Sequence, residues 1–224
     1  MLSPPEVALL FKSSEPADRT AQKLGRAIEK LRRTLVARLD ANPLGGSEAE
    51  RECLEHIVLV LERNINSTQS TGSSPAEIEL SSALDSILVL ARTKLQLNDP
   101  RTYIPSYDYL VRGVQLLRLN ECTPPFSQAD LIRCLSGAFH NSAAILYQAG
   151  SHGSAIGFVK EGCRIAEIAL AVRQDSNDVG PSKSEAWKQL GTQLYRRWQL
   201  LAICYMKIGD RKVGLKGSSD IISL

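Results

Sequence analysis

The groups in this chain best suited to chemistry are its five cysteines and three histidines. A cysteine beside a histidine can form a nucleophile and base, because the imidazole takes the thiol proton and leaves a thiolate. Cys163 with His140 is formally such a pair, and Cys134 is a second candidate nucleophile for an all-helical active site. No local signature surrounds either one. His56 in LEHIVLVL, His140 in AFHNSAAI and His152 in the turn AGSHGSA stand apart, as satisfied core or surface histidines do. The cysteines Cys53, Cys122, Cys134, Cys163 and Cys204 form no C-x-x-C pair, so neither a zinc site nor a thiol-redox motif is indicated. G-x-G-x-x-G, Walker, H-E-x-x-H and EF-hand spacings are missing as well, and Gly153 and Gly157 follow no strand. No catalytic residue, cofactor site or metal site is expected. Reduced cysteines among apolar helical residues act as small hydrophobes, which points to the cytoplasm or nucleus.

Composition narrows the class further. The 224 residues are 43% hydrophobic and 23% charged, an ordinary globular balance. A net charge of +3 does not by itself argue for nucleic acid. No apolar run reaches the roughly 18 residues of a membrane span, and MLSPPEVALLF carries Glu6 with no basic flank, unlike a secretory signal.

The elements that would position any site are helices. Four boxes, Ser47-x-x-Glu50, Ser74-x-x-Glu77, Ser127-x-x-Asp130 and Ser182-x-x-Glu185, each precede an apolar-periodic segment. In such a box the serine oxygen accepts the third residue's backbone N–H while the acid reaches back to the serine N–H. Stripes at helical spacing follow: Leu24, Ile28, Leu31, Leu35 and Leu39; Cys53, Ile57, Val60 and Leu61; Leu80, Leu84, Ile87 and Ala91; Tyr107, Leu110 and Val114; and then three more, the last from Trp187 to Ile208. No period-two run competes, so the chain reads as all-α. Residues 64–75, NINSTQSTGSSP, and 173–183, RQDSNDVGPSK, read as flexible connections. The organisation expected is an N-terminal helical pair over 1–64, a linker over 65–75, helical repeats over 76–210 and a disordered or truncated tail over 211–224.

The repeats have a pattern. Phe139, Ala143, Leu146, Gly150, Ala155, Val159 and Gly162 are spaced as a large residue, a small one, a large one, a glycine, and then small and large residues again. Trp198, Leu201, Ala202, Tyr205 and Gly209 repeat the first half of that pattern. Both segments resemble the tetratricopeptide repeat (TPR). The resemblance implies antiparallel helix pairs stacked into a right-handed solenoid, with Ala143, Ala155 and Gly162 as close-approach positions. The array is divergent, because Gly150 and Gly209 lie much farther apart than the roughly 34-residue period. The segment AFHNSAAILYQAGSHGSAIGFVKEGCRIAEIAL, with the following WKQLGTQLYRRWQLLAICY, resembles the non-catalytic helical region of fungal separases, cysteine proteases that cleave cohesin. That resemblance implies a scaffold contacted by a securin-like inhibitor or by the protease domain of a longer parent chain. It carries no catalytic residue onto this sequence. A TPR-type adaptor unrelated to separase is the alternative.

A basic first helix offers another reading. Arg19, Lys23, Arg26, Lys30, Arg32, Arg33 and Arg38 oppose only Asp18, Glu29 and Asp40, so this face could meet an acidic partner or nucleic acid. The competing account is the solvated face of an amphipathic helix, and no aromatics interleave to stack on bases. Ser74-Pro75 could accept a phosphate from a proline-directed kinase, or simply cap a helix. After Gly209 the chain reads DRKVGLKGSSDIISL, with Gly214 and Gly217 where a partner helix would begin. A helix pair without its second half predicts that the chain is a piece of something longer.

Overall fold

The computed structural model describes residues 17–43, 45–70, 77–96, 99–117, 129–174 and 181–209. Among these residues there are seven α-helices and no strand. They are α1 (Ala17–Ala41), α2 (Glu48–Ser70), α3 (Glu77–Lys94), α4 (Tyr103–Leu116), α5 (Ala129–Gln148), α6 (His152–Gln174) and α7 (Pro181–Lys207). A short 3-10 turn, Pro100–Thr102, leads into α4, and the Asp99 carboxylate caps it by accepting from Arg101 N at 3.0 Å.

Local chemistry accounts for the helix ends. The Ser47 box forms as the sequence predicts, with Glu50 N donating to Ser47 Oγ at 3.2 Å and Ser47 N donating to Glu50 Oε2 at 3.0 Å. Ser74 and Ser127 lie outside the described residues. Ser182 is already the second residue of α7, so the fourth box falls inside the helix rather than at its start, and Pro181 takes the first position instead. At the end of α5, Gly150 adopts φ +78°. Ser151 N then donates to Leu146 O at 2.9 Å and Gly150 N to Tyr147 O at 3.0 Å, the two bonds of a Schellman cap. Gly209 closes α7 in the same left-handed conformation, φ +87°.

The first part of the segment 65–75, read as a linker, is helical. Residues 65–70 are the last turns of α2, and Ile65 is fully buried in the core. Residues 71–76 lie outside the described residues, as do 210–224, where the tail was expected. One core of buried side chains runs from Leu35 and Leu39 on α1, through Leu54 and Val58 on α2 and Leu84 and Ile87 on α3, to Leu201 and Cys204 on α7.

Within that core, α3 packs chiefly on α4, α5 on α6, and α6 on α7, while α1 and α2 both lie against α3. Tyr107, Phe139 and Phe158 join α4, α5 and α6 edge to face, with ring centroids 5.1–6.4 Å apart. Gly113 on α4 is a further close approach. A Cβ there would come within 2.9 Å of Leu135 Cδ1 and 3.1 Å of Leu84 Cδ1.

Candidate functional site

The repeat-pattern residues meet where α5, α6 and α7 converge. Phe139, Ala143 and Leu146 on α5 are fully buried, as are Ala155 and Val159 on α6. Gly162 is the close-approach position that the pattern assigns. A Cβ there would lie 3.1 Å from Phe139 Cβ and 3.3 Å from the Ser136 carbonyl oxygen. Ser136 Oγ uses that proximity to donate to Gly162 O at 2.7 Å. On α7, Leu201 and Tyr205 are buried. Trp198 is half-buried against the core, and its proximity favours the charged form of Glu167 on α6. Ala202 is only half-buried, so the enclosed small residue on this stretch is Cys204 rather than the alanine that the repeat pattern assigns.

The same junction holds a charge that the sequence reading missed. Arg197 is 1% exposed. Its Nε donates to Ser136 O at 3.2 Å and its Nη2 to Gln193 Oε1 at 3.2 Å, while Nη1 is buried with no hydrogen-bond partner. No carboxylate forms an ion pair with it among the described residues. Burial therefore pulls the guanidinium down to about 10. The signal was in the register: Leu190, Leu194, Arg197, Leu201 and Cys204 recur at intervals of three and four, which places the arginine on the buried stripe.

Burial at this junction disfavours the charged forms of both Cys163 and His140. Cys163 is buried, and its thiol is pushed up to about 12, chiefly by desolvation and then by Glu167, with Arg197 only partly opposing. His140 is shifted down by burial and by Arg197 and Arg196, and its Nδ1 has no hydrogen-bond partner. A catalytic pair needs a thiol lowered toward neutrality and a base bonded to it. Cys163 and His140 have neither. Cys134 is exposed on α5, outside this junction. His152 packs on the Tyr147 ring at 4.9 Å, and the exposed His56 bonds Glu52 O through Nδ1 at 2.8 Å. No group of three or more potential metal ligands occurs among the described residues.

The basic face of α1 is smaller than its sequence implies. Arg32 is not on it, because the side chain is buried and binds Asp85 Oδ2 at 3.0 Å, Ser86 Oγ at 3.2 Å, Ser82 O at 3.2 Å and Glu29 at 2.8 Å. Arg33 pairs with Glu29 at 2.7 Å, and Arg38 with Glu50 at 2.8 Å. Lys23, Arg26 and Lys30 remain exposed, while the Arg19 side chain lies outside the described residues. The physical reason is register again. Ile28, Arg32, Leu35 and Leu39 form one stripe, so Arg32 pins α1 to α3 instead of meeting solvent.

The outer side of α7 presents the other surface of note. Tyr195 is 50% exposed, Ile203 38% and Met206 55%, although α7 packs on α5 and α6 through its opposite side. No helix among the described residues is long and apolar enough to cross a membrane. Comparison with protein-family models, with curated proteins and with solved structures returns no match for this chain.

Proposed function

We propose that this chain is a non-catalytic helical scaffold for protein–protein interaction, built as a divergent TPR-like right-handed solenoid of antiparallel helix pairs. The reading is carried by where the pattern residues lie. Phe139, Ala143, Leu146, Ala155, Val159 and Gly162 are enclosed in one helix–helix contact, while apolar side chains of α7 face outward. The three-residue connection at 149–151 and its glycine cap fit a tight reversal between paired helices. The raised thiol of Cys163 favours a scaffold over an enzyme, since a buried neutral thiol is a poor nucleophile.

By resemblance, the parent is a separase-like protein of chromosome segregation, acting in the cytoplasm or nucleus. Its partner would be a securin-like inhibitor or the protease domain of a longer chain. A TPR-type adaptor outside that family would share the same architecture. Nucleic-acid binding through residues 19–38 is the weaker reading, because Arg32, Arg33 and Arg38 are each engaged by carboxylates. The test is titration calorimetry of the chain against a separase protease domain and against a securin, beside a peptidase assay. Saturable binding to either without peptidase activity is expected. Peptidase activity abolished by Cys163→Ala would overturn the scaffold reading, and binding to neither protein would remove the separase relationship.

A further inference from the structure

Among the described residues, the outer face of α7 combines exposed apolar side chains with an unbalanced positive charge. Tyr195, Ile203 and Met206 fall within about a quarter of the helix circumference at 100° per residue. Each is at least 38% exposed; Ile203 and Met206 are neighbours one turn apart, and Tyr195 lies about two turns before Ile203, beyond the exposed Gln199. By contrast, Ile78 and Ile104 are single exposed positions on their helices, and α2, which exposes Leu59 and Val60, carries five glutamates against two arginines. The second feature is charge. From Ala186 to Lys207 the helix carries Lys188, Arg196, Arg197 and Lys207 and no aspartate or glutamate. Lys188, Arg196 and Lys207 are exposed beside these apolar residues. Arg197 adds a buried positive charge that no carboxylate among the described residues pairs with, and a field from a low-dielectric interior is weakly screened. Lys160 of α6 extends the positive border, with its Nζ 5.3 Å from the Tyr205 ring centroid.

We infer that this face docks an amphipathic helix of a partner protein whose apolar stripe is flanked by aspartate and glutamate. The inference rests on the scaffold reading and adds the place and the partner's chemistry. Tyr195, Ile203 and Met206 supply the buried centre of the contact, where desolvated side chains carry most of the affinity. The surrounding cations select acidic flanks, which speed encounter and reject basic helices. A phosphate backbone would use the cations but leave Tyr195, Ile203 and Met206 without a role, so a nucleic acid is the poorer match. A second copy of this chain would set one basic face against another and lose that complementarity.

The experiment is selection of helical peptides from a displayed library on the full chain, repeated with two surface variants. One carries Ile203→Glu and Met206→Glu, and the other Arg196→Glu and Lys207→Glu. All four positions are exposed, so circular dichroism should match wild type. Peptides enriched on the wild type should show apolar residues at three-four spacing flanked by acids. Their affinity should fall about tenfold or more on the first variant, and should fall on the second with a weaker salt dependence. No enrichment, or enrichment of basic peptides, overturns the inference. Enrichment kept by both variants overturns this surface while leaving the scaffold reading to the calorimetric test above. Concentration-dependent dimerisation, or RNA binding, that Ile203→Glu with Met206→Glu abolishes would assign the face to those occupants instead and likewise overturn it.

Discussion

Arg197 reaches from α7 to α5 and donates its Nε proton to the backbone carbonyl of Ser136 at 3.2 Å. Ser136 in turn donates its hydroxyl to Gly162 O on α6 at 2.7 Å, so one residue ties three helices at their closest approach. The bond brings a cation into the core with only neutral acceptors around it. Charge and volume therefore act in opposite directions at this position.

Two substitutions separate them. Arg197→Met keeps the long apolar stem and removes the buried charge, so stability should hold or rise by about 1–3 kcal/mol. Arg197→Ala also removes the stem and leaves a void beside Gly162, and should cost about 2–4 kcal/mol. Urea midpoints of the two variants against wild type decide it. Equal destabilisation by both would mean that the guanidinium's hydrogen bonds outweigh its desolvation.

The contact at Gly162 makes a second pair. Alanine at 162 would press on Phe139 Cβ and the Ser136 carbonyl, neither of which can swing aside. Gly162→Ala should destabilise by about 1–3 kcal/mol despite its better helix propensity. At Gly157 on the same helix a Cβ meets nothing within 4 Å. Gly157→Ala should therefore stabilise by up to about 1 kcal/mol. Thermal unfolding of both variants provides the comparison, and the same sign at both positions would contradict the close approach.

Thiol reactivity should divide the cysteines by burial. Cys134 is exposed and should react with an aromatic disulfide reagent at once. Cys163 and Cys204 are buried, and both thiols are shifted up by desolvation. They should label only as fast as the protein opens, and urea should accelerate them. Mass spectrometry of the labelled sites over time gives the readout. Rapid native labelling of Cys163 would revive a catalytic reading.

These residues also explain how far the sequence could be read. Apolar side chains at three-four spacing marked the helices, and the Gly150 turn followed from a glycine after Leu146. The end of α2 was missed because NINSTQS looks like a loop. Inside the helix, however, Ser67 Oγ and Thr68 Oγ1 donate to the carbonyls of Arg63 and Asn64, and Ile65 anchors the turn in the core. Polar residues there satisfy themselves on their own helix. Arg32 and Arg197 were missed for a different reason. Composition assigns arginine to the surface, whereas both occupy core positions of their stripes, and only register shows it.

Glu29 links that register to acid stability. It accepts from Arg32 at 2.8 and 2.9 Å and from Arg33 at 2.7 Å. The Arg32 bond is the chief reason its carboxyl is held down to about 2, against 4.5 for a free side chain. A carboxylate with a lowered folded pKa stabilises the fold above its unfolded pKa, and that contribution disappears as pH falls through the folded value. The window is therefore about pH 4.5 down to about 2. Because the side chain is a third exposed, solvent screening limits the gain to on the order of 1 kcal/mol. Glu29→Gln should be less stable than wild type at pH 7, and the two should converge as the pH approaches 2. Added salt should shrink the difference at neutral pH. Urea unfolding at stepped pH values measures it, and a gap independent of pH would show that Glu29 acts through packing and not through its charge on Arg32.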